Sequence, residues 1–215
     1  MKSILLIGLG RFGGNIAEKL HEMNHDVIAV DKDEEKVEAV LPIVTNAMTA
    51  DSTNPAFLKS LGIPTFDLCI VTIGDDFQSS LETTSLLKEF GARYVISRAS
   101  RGIHEKFLRR NGADETVYPE RQLALWTAMR YGSHHLLDYF ELSDDYAVYE
   151  IPTPGDWIGA TIGALDIRRK HRLNILGVKK CGKLCMDITA ETLLEEGTTI
   201  LVVGRQDAVQ QLFKI

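Results

Sequence analysis

LLIGLGRFGGNIAEKL, residues 5–20, decides the fold. It opens as an unbroken apolar run, crosses a turn crowded with glycines, and closes with apolar residues spaced along one face of a helix. A strand buried on both faces that leads straight into an amphipathic helix is the first half of a βαβ unit. Gly8-Leu9-Gly10-Arg11-Phe12-Gly13 within it fits the G-x-G-x-x-G pattern. Gly8 makes the tight turn, Gly10 lets backbone N–H groups approach a pyrophosphate, and Gly13 lets helix and strand pack closely. The N-terminus of the following helix adds about half a positive charge toward the phosphates.

The same alternation continues outward from this stretch. Apolar runs at 3–10, 26–31, 43–51, 67–74, 93–99 and 115–119 read as strands, and the segments near 12–24, 34–41, 54–61, 77–90 and 103–111 read as helices between them. Residues 1–120 are therefore expected to form an α/β, Rossmann-type doubly wound parallel sheet that binds a nucleotide. The segment 119–142 reads as a helix, interrupted near Gly132, with apolar stripes through Leu123, Trp126 and Met129 and through Leu136, Leu137 and Phe140. Residues 121–142 are accordingly a connecting, dimerising region, or else a helix packed on its own sheet. Strand signals at 146–151, 174–180, 185–188 and 199–204, with a helix near 160–171, predict a small α+β domain over 143–215.

The 215 residues suffice for two small cores, with 45% hydrophobic and 25% charged residues and a formal net charge of −6. An acidic chain argues against a nucleic-acid partner. No apolar run is long enough to span a bilayer, and Met1-Lys2-Ser3-Ile4 leads into a strand without a signal-peptide core. Three cysteines, Cys69, Cys181 and Cys185, make no disulfide framework and predict a reduced, cytoplasmic setting.

Asp31 closes the second strand roughly 20 residues beyond Gly8, where an acid accepts from both ribose hydroxyls and disfavours a 2′-phosphate. Asp51, ending the third strand, reaches the adenine edge or serves as a turn acid. Gly74, after the fourth strand, admits a ligand or simply makes a turn. Their neighbours Phe12, Lys32, Ser52, Thr72 and Ile73 complete the candidate lining. Arg11 stands between the second and third glycines. Its guanidinium either grips additional phosphate oxygens, which points to ATP or ADP with NAD(H) as the alternative, or is a solvated first-turn arginine.

With the loop GLGRFG, the acids Asp31 and Asp51, the stretch GADETVYPE (112–120) and the ending LLEEGTTILVVGRQDAVQQL (193–212), the chain resembles the regulator-of-potassium-conductance (RCK) family. It is most similar to the cytosolic gating subunits of Trk and Ktr potassium uptake systems, over nearly its whole length. Gly197-Thr198 departs from the family's ending, where an acid usually follows the glycine, and ADST (50–53) departs from a glycine-first form. The resemblance implies homodimers assembled into an octameric ring beneath a membrane potassium channel subunit, peripheral to the inner face of the membrane. It implies switching between ATP- and ADP-bound ring shapes, with Arg11 near the terminal phosphate, often across a dimer interface, and Arg98 near the nucleotide. Glu120 would lie near the phosphates and help hold a cation, Mg2+, Ca2+ or Na+; taken alone, Glu120 reads as a helix first-turn acid and Arg98 as a surface strand-end charge. In the C-terminal domain the resemblance implies cyclic di-AMP as a ligand, with Arg168, Arg169 and His171 as candidate contacts; the other reading of this basic run is a solvated face.

Cys181 and Cys185 flank a turn without a second ligand pair, so zinc is not expected. His134 and His135, adjacent on the expected helix, read as interface or surface residues. No nucleophile–base arrangement stands out, and the C-terminal unit offers no acid/base group to face a nicotinamide. The leading function is a nucleotide-binding regulatory subunit and not an enzyme. Competing readings are an NAD(H)-binding regulatory subunit, a small NAD-dependent oxidoreductase, and a free NAD(H) redox sensor.

Overall fold

The computed structural model describes residues 1–132, 136–143 and 145–213. The chain divides into two compact units, Met1–Arg121 and Gln122–Ile215.

The first unit alternates β1 (Ser3–Ile7), α1 (Arg11–Glu22), β2 (Asp26–Asp31), α2 (Glu34–Val40), β3 (Asn46–Thr49), α3 (Pro55–Ser60), β4 (Leu68–Val71), α4 (Phe77–Glu89), β5 (Val95–Arg98), α5 (Gly102–Arg110) and β6 (Glu115–Val117), and leads into α6 (Pro119–Gly132). Its strands pair in parallel in the order β3-β2-β1-β4-β5-β6. This is the doubly wound arrangement, and the order reverses between β1 and β4. Successive residues of β1 serve opposite faces. Leu5 and Ile7 join a core with Leu58, Phe66 and Leu87, while Ile4 and Leu6 join one with Ala17, Val27 and Val37. That is why the sequence there is continuously apolar.

The face of α4 is polar yet buried, a feature invisible to apolar periodicity. Ser80, Thr83 and Thr84 are all fully buried, and each hydroxyl finds a partner. Ser52 and Thr83 share a hydrogen bond of 2.8 Å, as do Thr84 and Ser97. The Ser100 N–H donates to His104 Nδ1 at 3.3 Å, so Nε2 carries the proton and donates to Ser80 Oγ at 3.2 Å. His104 is fully buried, with its ring 4.8 Å from that of Phe77. Burial, and secondarily the Arg101 cation, hold His104 below its ordinary pKa of 6.5. The unfolded chain therefore binds the extra proton more readily than the folded one. Stability is full above pH 6.5 and declines as pH falls below it. His104→Asn should flatten that decline; equal slopes of unfolding midpoint against pH for the two proteins would refute the assignment.

The second unit holds β7 (Asp138–Glu141), β8 (Tyr146–Pro152), α7 (Ile162–Leu165), α8 (Ile167–His171), β9 (Asn174–Lys180), β10 (Lys183–Cys185), β11 (Thr199–Arg205) and α9 (Gln206–Phe213). Its sheet is antiparallel in the order β10-β9-β11-β8-β7. Ala147, Tyr149 and Ile151 alternate inward along β8 onto a core with Trp157, Leu173, Leu194, Ile200 and Val202.

Several expectations for this half need correction. Of the helix expected over 119–142, the described residues show Pro119–Gly132, and Asp138–Glu141 is an edge strand paired with β8, so Leu137 and Phe140 lie outside the helix. The i, i+1, i+4 spacing of Leu136, Leu137 and Phe140 imitates one face of a helix, but cross-strand pairing of Tyr139 with Tyr149 decides the strand. His134 and His135 lie outside the described residues. The helix expected over 160–171 is two short ones, broken at Asp166, whose φ is +49°. The strand expected at 185–188 instead spans 183–185, because Cys181 (φ +50°) and Gly182 (φ +77°) form a two-residue turn that starts pairing at Lys183. α9 was not expected at all. Thr198, in the position of the family's usual acid, is buried and donates to the Glu195 carbonyl at 2.6 Å.

Candidate functional site

The carboxyl ends of β1, β2, β4 and β5 open onto a crevice of about 170 Å³, continuous with solvent. It sits at the reversal of strand order, where doubly wound sheets take their ligands. The glycine loop forms its floor. Gly8 (φ +95°) turns the chain where other residues are strained, and a Cβ there would come within 2.9 Å of Thr72 Oγ1. The loop is pinned on both sides. The Gly8 N–H donates to the Val30 carbonyl at 2.8 Å, and Thr72 Oγ1 donates to the Gly8 carbonyl at 2.5 Å.

Helix starts around the crevice differ in one telling respect. α2 and α4 are capped by the side chains of Asp33 and Asp76, which accept from Glu35 N and Ser79 N. α1 has Gly10 at its N-cap, and so no side-chain cap, and it carries no acid in its first turn. Its first N–H groups and its positive dipole end are left for an anionic ligand.

Asp31 is 9% exposed and accepts on both oxygens from backbone, from Leu9 N at 2.5 Å and from Asp33 N at 3.0 Å. It thus staples the glycine loop to the end of β2 and presents its remaining lone pairs to the crevice. Asp51 accepts from the Thr53 N–H and hydroxyl, which hold its carboxyl below the usual range. Asp76 is held low in the same way by the Ser79 amide and hydroxyl.

The crevice brings together Gly8, Gly10, Asp31, Lys32, Asp51, Ser52, Thr72, Ile73, Gly74 and Arg98. Gly13 lies behind the loop, packed on Gly8 and Thr72. Arg11 is exposed at the start of α1 and is not among the lining residues of its own chain; Phe12 is half-buried beside Arg98. The guanidinium that lines the crevice belongs to Arg98. Lys36, Asp75, Asp76 and Ser79 also line it and were not expected. Asp76-x-x-Ser79 carries an N-cap pattern that marked the start of α4 and hence a residue at the strand ends. Lys36 had no such mark. Its ammonium lies 3.0 Å from Asp33, which holds its pKa above the ordinary value.

Glu120, in the first turn of α6, accepts from Arg98 Nη2. Its own backbone amide and that guanidinium hold its carboxyl below the usual range. Among the described residues no three His, Cys, Asp or Glu side chains cluster to hold a metal. A cation at Glu120 would draw its further ligands from phosphate oxygens.

In the second unit, Arg168 borders a hollow with Ile162, Gly163 and Asn174, whereas His171 borders another with Lys170, Arg172 and Arg205. Arg169 lines neither hollow. The three candidates do not converge within one chain.

Residues 4–119 match the TrkA-N domain and residues 146–215 the TrkA-C domain. The chain belongs to the TrkA-N/TrkA-C family. It is 38% identical to Ktr system potassium uptake protein C of Bacillus subtilis, over 94% of this chain and 92% of that one. Ktr system potassium uptake protein A of the same organism is 35% identical, over 98% of this chain and 95% of that one. These relatives are potassium uptake proteins rather than enzymes. The structure of the GsuK channel bound to NAD aligns with a TM-score of 0.70 and 20% identity, covering 99% of this chain and 39% of that one. GsuK bound to ADP aligns at 0.53 with 16% identity, over 60% of this chain and 35% of that one. At these identities the two structures speak for the fold. No helix among the described residues is long and apolar enough to cross a membrane.

Proposed function

We propose that this TrkA-N/TrkA-C chain is the nucleotide-binding regulatory subunit of a potassium uptake system, acting on a membrane potassium channel subunit from the cytoplasmic face. The observation that carries the reading is the crevice itself. It joins an uncapped helix start, a pinned glycine loop and the Arg98 guanidinium on one side to the acids Asp31 and Asp51 on the other, in a chain whose relatives are potassium uptake proteins. Phosphates suit the first side and ribose hydroxyls the second.

Differential affinity of ATP and ADP for two shapes of the assembly would move the gate. The first 120 residues bind the nucleotide, 121–142 connect and dimerise, and 143–215 form the regulatory C-terminal domain. α6 supports the middle assignment, for none of its residues is buried, and Leu123 and Tyr131 are 63% and 73% exposed. Homodimers built through it would close into an octameric ring, and Arg11 would meet phosphate from a neighbouring copy. Glu120 with Mg2+, Ca2+ or Na+, and Arg168, Arg169 and His171 with cyclic di-AMP, belong to the same reading. Because the structurally similar GsuK channel binds NAD, an NAD(H)-binding regulatory subunit is the second reading.

Thermal unfolding with ATP, ADP, NADH and NADPH separates these. A ligand at one hundred times its Kd stabilises by about 2.7 kcal/mol. ATP and ADP are expected to raise the midpoint most. A larger shift with NADH transfers the site to the second reading. Stabilisation chiefly by NADPH, with nicotinamide absorbance consumed in the presence of a substrate, overturns the regulatory reading.

A further inference from the structure

We propose that Glu120 and the nucleotide phosphate compete for the Arg98 guanidinium, so that Arg98 selects phosphate-bearing ligands and Glu120 sets how tightly they are held. The proposal rests on the nucleotide reading above and deepens it for the site without a metal ion, since a cation shared by Glu120 and the phosphate would make the two partners instead of rivals.

Arg98 is the last residue of β5, and its guanidinium is flanked by Gly74, Phe12 and Glu120. A Cβ at Gly74 would lie 2.6 Å from Nη1 and 2.9 Å from Cζ, so a residue with a side chain at 74 would push the guanidinium aside. The Phe12 ring lies 5.6 Å from Cζ, a cation–π contact from the first turn of α1. Gly8 and Gly10 line the same crevice. On the remaining side Nη2 donates to Glu120 Oε1.

That pairing leaves Arg98 under-used. A guanidinium carries five N–H donors, and Nε is buried without a partner among the described residues. One oxygen of Glu120 does not meet this demand, whereas a phosphate offers several oxygens to the fork. The losing partner is also easily released. The Glu120 side chain is 57% exposed and stays at a helix N-terminus, where solvent and the dipole stabilise it without Arg98. Arg98, by contrast, is only 19% exposed and stays in the crevice with either partner. Phosphate and Glu120 are therefore alternatives for one cation, and removing either strengthens the claim of the other.

The test is calorimetry on the full chain in sodium-free buffer with the potassium salt of EDTA, with ADP and adenosine as ligands. Glu120→Gln removes the competitor and is expected to tighten ADP about two- to five-fold, the range of a partly exposed ion pair, while leaving adenosine unchanged. Arg98→Gln is expected to weaken ADP about tenfold and to spare adenosine. In the double variant the gain from Glu120→Gln disappears, because the contested cation is gone. Unchanged or weakened ADP binding in Glu120→Gln overturns the competition, as does equal tightening of adenosine, or a gain that persists without Arg98. If the unaltered protein binds neither ligand, the nucleotide reading itself fails and the competition with it.

Discussion

Gly13→Ala is expected to destabilise the first unit by about 3 kcal/mol, at the upper end of overpacking penalties. A Cβ there would overlap the Gly8 carbonyl oxygen and fall 2.7 Å from Thr72 Oγ1. Neither atom has room to yield. The Gly8 carbonyl accepts from Thr72 Oγ1 at 2.5 Å, the Gly8 amide is tied to Val30 at 2.8 Å, and Thr72 N donates to the Ile7 carbonyl at 2.8 Å. Relief would separate α1 from β1 and open the turn on which the crevice rests. The neighbouring glycines supply the control. A Cβ at Gly10 or Gly14 meets nothing within 4 Å. Gly14 lies inside α1, so Gly14→Ala is expected to be neutral or to stabilise by up to about 1 kcal/mol. Gly10→Ala should fold normally and lose nucleotide, because the added methyl group would stand where the proposed ligand approaches the loop backbone. Urea unfolding followed by far-ultraviolet circular dichroism ranks the three. A midpoint for Gly13→Ala indistinguishable from that of Gly14→Ala would contradict the packing described for the loop.

Asp31→Ala is expected to cost about 2–4 kcal/mol in the protein without nucleotide, since it strands the Leu9 and Asp33 amides that the carboxylate now accepts. Leu9 is 5% exposed, so water replaces little of the lost bond at its N–H. A residue that served ribose alone would weaken nucleotide binding and leave the unliganded protein as stable as before. The two roles therefore separate in one measurement, the unfolding free energy with nucleotide removed. Asp31→Asn keeps a single acceptor oxygen and should fall between the two proteins. If Asp31→Ala unfolds at the same urea concentration as the unaltered chain, the staple has no energetic weight and only the ribose role survives.

The two roles of Asp31 show how far local patterns reach. The acid was legible because it ends an apolar strand at the right distance from the glycine loop. Its bond to Leu9 was not, because backbone amides carry no mark in a sequence. Arg98 and Arg11 make the same point in reverse. Arg11 stands within the motif and draws attention, yet a first-turn side chain at the helix surface points outward. Arg98 stands at the end of an ordinary strand and enters the crevice because Gly74, on the adjacent strand's exit, leaves it room. The hydroxyls of α4 carry no mark of burial in the sequence, and only their partners on β5, on α5 and after β3 turn them into a buried layer.

What the sequence by itself determined is the wound first unit, since the period of apolar residues there is read against the chain's own geometry. Continuous apolar runs must be covered on both faces, the intervening helices cover them, and glycines mark the turn where backbone meets ligand. Tertiary structure decided whatever depends on a partner distant in the chain. It made Asp138–Glu141 a strand by offering the edge of β8, and it brought Arg98, beside Lys32 and Lys36, into the crevice of the single chain while leaving Arg11 at the surface of α1. Strand pairing and side-chain reach are set by neighbours in space, and one-dimensional spacing does not record which neighbours those are.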